Sequence, residues 1–166
     1  MSTPESGPMQ HISDIMEGDD LLAIANYLFI ERTPFNKVLE LGIAHVEDEN
    51  VQLTLEMKED LLGNAYKGIL HGGVVASVLD VAGGVAAFFS LRNKLKGQAP
   101  EKAAQSYSKF GTVDLRIDYL RPGFGEAFTA SGSILRTGNK VAVARMQLHN
   151  EKEKLIATGT GTYMVG

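Results

Sequence analysis

The sequence predicts an α+β domain in which one antiparallel sheet curls around a long, buried central helix. Three observations carry this reading. The stretch His71 to Ser90 is so rich in Ala, Gly, Val and Leu that a helix there has hardly any polar face, and a helix without a wet side is buried. Four strand-like segments follow it, separated by the turn sequences Arg121-Pro122-Gly123, Thr137-Gly138-Asn139 and Glu151-Lys152-Glu153. Two more precede it and flank the acidic turn Glu47-Asp48-Glu49-Asn50, which reads as a hairpin.

Residues 1–18 are polar and acidic and read as a flexible tail ahead of a single domain over 19–166. They lack a basic start followed by an apolar core, so they do not read as a secretory signal. Asp19 and Asp20 are good cap residues, and Leu21, Leu22, Ile24, Ala25, Leu28 and Phe29 recur at helical spacing. This predicts an extra N-terminal helix that ends before Thr33-Pro34 and packs its apolar stripe on the body. The hairpin strands are expected over Val38 to Val46 and Val51 to Lys58, and Asp60 to Gly68 is loop-like. Leu91 to Lys109 contains Gly97, Pro100 and several basic residues, and is expected to be an exposed loop. From Thr112 to Leu120 the alternation puts Val113, Leu115, Ile117 and Tyr119 on one face and Asp114, Arg116 and Asp118 on the other. The last three strands are expected at Glu126 to Arg136, Lys140 to Asn150 and Leu155 to Val165.

A chain of 166 residues with 44% hydrophobic content can bury one good core. Its net charge of −4 provides no general attraction to nucleic acid or anionic lipid. Without cysteine there is no disulfide, thiolate metal site or cysteine nucleophile, and the cytoplasm is the expected compartment. The longest apolar run, Val74 to Phe89, is shorter than the roughly 20 residues that span a bilayer, so no membrane span is expected. His11, His45, His71 and His149 show no metal-ligand spacing, and no metal is expected. Small residues in the central helix are explained by close packing against the sheet. Asp80 is not. A carboxylate in such a helix loses hydration and needs partners, a situation common at catalytic sites.

His71-Gly72-Gly73 followed by Leu79-Asp80, with Val113-Asp114-Leu115 and Tyr119-Leu120-Arg121-Pro122-Gly123 further on, resembles the hotdog-fold acyl-CoA thioesterases of the PaaI-type, phenylacetate-pathway branch. The resemblance covers roughly residues 38–165. It implies hydrolysis of an acyl-CoA to a free acid and CoA, with no cofactor beyond the CoA of the substrate. Asp80 matches the family's general base or nucleophile, and Gly72 the residue whose backbone N–H polarises the thioester carbonyl. Gly73 keeps the approach open, and Thr112 aligns with the Ser or Thr that holds the attacking water. His71 is implied to shape the turn at the helix start. Asn64 resembles the asparagine that orients that end of the site, although it lies seven positions before His71 where the family spacing is six; it reads equally well as a turn residue after Gly63. Arg121, Arg92, Lys94 and Lys96 are candidates for the phosphates of CoA.

Helical geometry adds a constraint. Nine residues from His71 to Asp80 make about 2.5 turns and roughly 13.5 Å, placing the two on opposite faces. A site that needs a carbonyl-polarising donor and a base at one reacting atom therefore combines Gly72 and Asn64 of one chain with Asp80 and Thr112 of another. A homodimer is the expected minimum, and a homotetramer, a dimer of dimers, the expected state. Two other functions fit the same scaffold: a non-catalytic acyl-CoA or fatty-acid binding protein, and a β-hydroxyacyl dehydratase, which needs a histidine and acid in a different arrangement. The acyl group is left open, because pocket depth depends on Phe88, Phe89, Tyr66 and the segment Leu91 to Lys109.

Overall fold

A computed structural model of the chain describes residues 18–166, so the tail expected over 1–18 lies, apart from Gly18, outside the described residues, as does His11. Asp20 caps the first helix, α1 (Leu21–Ala25), by accepting the Ala23 N–H at 2.9 Å. The chain continues through a π-helical segment, Asn26–Glu31, and Ile24 and Ala25 are buried against the body. Pro34 then opens a short helix, α2 (Pro34–Val38), where a strand was expected to begin at Val38. Proline at the first helical position lacks only an N–H that would be unpaired there anyway. After Glu40, at φ 55°, the hairpin forms as predicted from β1 (Gly42–Glu47) and β2 (Asn50–Glu56).

The expected loop at 60–68 holds more structure than its composition suggests. A 3-10 turn, Glu59–Leu61, leads into β3 (Leu62–Asn64), which pairs with β4 (Ile69–Leu70). The central helix, α3, runs from Gly72 to Leu95, one turn beyond its predicted end. By length and composition it could cross a membrane, but it is mostly buried by the rest of the fold, with Val78, Leu79, Ala82, Val85, Ala86 and Ala87 fully enclosed.

The exposed loop expected at 91–109 is corrected. Leu91 and Leu95 extend the buried stripe of α3, Gly97 turns the chain at φ 76°, and Pro100 starts α4 (Pro100–Ser108). Gly and Pro here stop one helix and start the next. An aromatic cluster holds α4 in place, with the Phe88 ring 5.4–5.9 Å from the rings of Phe29, Phe89, Tyr107 and Phe110.

The last four strands are β5 (Gly111–Tyr119), β6 (Ala127–Thr137), β7 (Val141–Asn150) and β8 (Leu155–Met164). They join the hairpin in one antiparallel sheet of order β1-β2-β6-β7-β8-β5. Its inner face presents Leu53, Phe128, Ala130, Ala144, Met146, Leu148 and Ala157 to the core around α3. Strand β5 is an edge and contains no fully buried residue.

One face assignment in β5 is overturned. Thr112 pairs with Tyr163 and Asp114 with Thr162, so Val113 is an extra residue in a β-bulge. Leu115 and Ile117 keep their expected place against the core, but ahead of them the faces are exchanged: Val113 is 56% exposed, and Thr112 turns toward α3.

Candidate active site

The N-terminus of α3 is built by its own sequence. His71 is the N-cap residue, in extended conformation, and its Nδ1 accepts the Gly73 N–H at 2.9 Å. Its backbone N–H donates to the Leu61 carbonyl at 2.8 Å, which anchors the cap to the preceding turn. Gly63 makes this approach possible, since a Cβ there would lie 2.6 Å from His71 Cα. Val74 and Val75 donate to the His71 carbonyl, so the first-turn N–H left without an acceptor among the described residues is that of Gly72, at an exposed position. Such a donor, at the positive end of a 24-residue helix, can polarise a carbonyl brought to it. Tyr119 braces the same point, its hydroxyl donating to the Gly72 carbonyl at 2.7 Å.

Asp80 sits on α3, half-buried, where β5 and β8 meet the helix. Thr112 Oγ1 donates to its Oδ1 at 2.9 Å. The Tyr163 hydroxyl lies 3.0 Å from the Asp80 carbonyl oxygen and 3.3 Å from Oδ1. Burial pushes the Tyr163 phenol far above its ordinary range, and the negative charge of Asp80 adds to this. The phenol is therefore a hydrogen-bond donor, never a competing anion.

The remaining predicted residues divide into those the fold brings near these two points and those it does not. Asn64 lies at the His71 end, because the bulge at Gly63 absorbs one residue between Leu62 and Asn64. Its side-chain oxygen accepts the N–H groups of Tyr66 and Lys67 at 3.1 and 3.2 Å, closing its own turn. Gly73 gives its N–H to the His71 imidazole. Arg121 follows β5 and donates to the Leu155 carbonyl at 2.9 Å, beside a surface pocket of about 230 Å³ shared with Phe124, Lys152 and Lys154. Arg92, Lys94 and Lys96 lie at the opposite end of α3, at least twelve positions past Asp80, which is about 18 Å of helix. Arg92 is buried and donates to the Gly18 carbonyl, while Lys94 holds the Gly138 and Asn139 carbonyls.

Eight positions separate Gly72 from Asp80, about 12 Å of helix, and opposite ends of β5 support them through Tyr119 and Thr112. A single chain thus presents an unpaired N–H donor and a carboxylate that cannot reach one atom together. Sequence reading missed Tyr119 and Tyr163 as site residues. The available signal was on β8, where Ala157, Gly159 and Gly161 share a face with Tyr163: three small residues and one large aromatic with a polar tip.

The family model that matches this chain is described as the thioesterase superfamily and covers residues 67–157. The medium/long-chain acyl-CoA thioesterase YigI of Escherichia coli K12 is 44% identical over 155 residues, 93% of this chain and all of that protein. A crystal structure of a Shewanella oneidensis protein related to the thioesterase superfamily superposes with a TM-score of 0.82 at 43% identity, covering 97% of this chain and 100% of that one. The Escherichia coli PaaI protein from the phenylacetic acid degradation operon shares the fold at 21% identity, with a TM-score of 0.69 over 88% of this chain and 94% of that one. With the HGG cap, the buried helix and the six-stranded antiparallel sheet in agreement, the chain belongs to the thioesterase superfamily and has its hotdog fold.

Proposed function

We propose that this protein hydrolyses acyl-CoA thioesters to a carboxylic acid and CoA. The observation that carries the reading is the half-buried Asp80 carboxylate with the Thr112 hydroxyl at 2.9 Å, on the helix whose first N–H groups frame Gly72. The resemblance to a relative named for medium/long-chain acyl-CoA supports an aliphatic substrate of that class. The Phe29, Phe88, Tyr107 and Phe110 cluster offers apolar walls two residues from Thr112.

In this mechanism Asp80 takes a proton from water held beside Thr112, and the hydroxide adds to the thioester carbonyl. The Gly72 N–H of a second subunit holds the oxyanion that forms. Collapse breaks the carbon–sulfur bond, and the CoA thiolate leaves with the proton from Asp80. Direct attack by Asp80 would instead pass through an anhydride. Label in the Asp80 side chain after a single turnover in heavy-oxygen water would establish that route, since water then opens the anhydride at the aspartyl carbon.

The 12 Å between Gly72 and Asp80 makes a homodimer the smallest unit with a complete site. The open edge of β5, with Val113 and Tyr119 more than half exposed, supports pairing with a second copy. A dimer of dimers is our expected state, and light scattering of the purified protein tests it. We place the phosphates of CoA near Arg121 rather than at Arg92, Lys94 or Lys96.

The test is steady-state hydrolysis of acyl-CoAs of graded length by wild type and Asp80→Asn. Turnover by wild type and a loss of about 10²-fold or more in the variant is expected. Unchanged turnover in Asp80→Asn would overturn the mechanism. Because the Asn64 carboxamide is engaged in its own turn, an acyl-CoA binding protein is the second reading. Tight binding without thiol release would establish it.

A further inference from the structure

We infer that Tyr163 is a positioning residue for Asp80, fixing its carboxylate so that Oδ2 is the oxygen presented to the reaction; the inference rests on the role of Asp80 proposed above. The Tyr163 hydroxyl lies between two acceptors of one residue, the Asp80 carbonyl oxygen at 3.0 Å and Oδ1 at 3.3 Å. A donor placed there links the side chain to its own backbone and restricts its rotation. Thr112 donates to the same Oδ1 from the opposite strand neighbour, since Thr112 and Tyr163 are directly paired across β5 and β8. Two hydroxyls thus converge on Oδ1 rather than Oδ2.

The surroundings show that the phenol is held firmly in place. Tyr163 has no exposed surface. Its ring and hydroxyl occupy space that a Cβ at Gly83 or Gly161 would claim, and the Gly83 position lies one turn past Asp80 on the same helix. The bulge at Val113 serves the same arrangement, because without it Thr112 would face outward. A tyrosine needing only a buried partner would be satisfied by the carbonyl alone; the contact with Oδ1 is what bears on chemistry.

The two hydroxyls are the side-chain hydrogen-bond partners of Asp80 among the described residues. Strand β8 contributes the Tyr163 phenol and β5 the neutral Thr112, with Asp114 beyond the bulge. On the next turn of α3, Met146 of β7 lies against Gly83 and Gly132 of β6 against Ala82. His71 is nine positions away at the helix cap. Losing the phenol frees the carboxylate to turn, which lowers kcat without weakening substrate binding.

The experiment compares wild type, Tyr163→Phe and Asp80→Asn on one acyl-CoA, with folding checked by circular dichroism. For Tyr163→Phe the expected result is a drop in kcat of about tenfold with a KM within about twofold of wild type. A folded Tyr163→Phe with wild-type kcat, or one whose KM rises as much as its kcat falls, would overturn the inference. If Asp80→Asn retains turnover, the underlying mechanism fails instead, so the two failures are distinguishable. Should Tyr163→Phe not fold, Gly83→Ala carries the test by the same readouts, since its Cβ displaces the hydroxyl while keeping it present.

Discussion

The Tyr119 hydroxyl donates to the Gly72 carbonyl at 2.7 Å, joining the last residue of β5 to the first residue of the central helix. Seven positions earlier on the same strand, Thr112 holds Asp80. One edge strand therefore sets the distance between the two chemical ends of α3, and the predictions below follow from that scaffold.

Replacing Tyr119 with Phe removes the brace while keeping the ring. A single hydrogen bond contributes about 0.5–1.5 kcal/mol net, which at this chain length lowers Tm by about 1–6 °C. Because the brace sits on the residue proposed to polarise the substrate, kcat should fall several-fold with little change in KM. Thermal melts and steady-state kinetics check both; a stability loss with unaltered kcat would remove Tyr119 from the site.

Thr112→Val preserves shape and deletes the hydroxyl bonded to Asp80. Turnover should drop about tenfold to a hundredfold, corresponding to about 1.4–2.7 kcal/mol in the barrier. Thr112→Ser, which retains the donor, should stay near wild type. Equal rates for the Val and Ser variants would show that the hydroxyl plays no part.

His71 acts on the helix as a cap, with its imidazole on the Gly73 N–H. His71→Ala should cost about 0.5–2 kcal/mol of stability, and His71→Asn, a favoured cap residue, should recover most of it. Turnover should follow the cap, with the Asn variant close to wild type. A stable His71→Asn protein without activity would instead assign the imidazole a chemical role.

Burial raises the Tyr163 phenol above its ordinary value of 10.0. The unfolded chain then releases this proton at lower pH than the folded one, so the associated stability is complete below about pH 10 and declines as pH rises beyond it. Melting temperature measured from pH 8 to 11 should fall at the alkaline end in wild type. The fall should be shallower in Tyr163→Phe; parallel curves would contradict this.

Much of the fold was legible in local pattern. The apolar face-less run at 71–90, the period-two alternation of the late strands and the Glu47-Asp48-Glu49-Asn50 turn identified the buried helix, the meander and the hairpin, because each reports burial through spacing within one segment. The pairing of Asp80 with Thr112 was likewise reached through the motif and its resemblance. Helix α4 was not, since Gly97 and Pro100 punctuate a loop and a helix–helix junction in the same way, and only the Phe88 cluster distinguishes them. The faces of β5 were misread at Val113 because a bulge is a mismatch between two strands, and one strand's sequence contains only half of it.

Residue identity and spacing were thus enough to single out the HGG turn and Asp80 and to show that one helix keeps them about 12 Å apart. The tertiary structure alone decided what holds each of them: Tyr119 on Gly72, and Thr112 with Tyr163 on Asp80. Those contacts cross from helix to sheet between residues 32 to 83 positions apart, and depend on strand order, register and one inserted residue. Periodicity along the chain carries no information about such distances; packing around the glycines of α3 and β8 does.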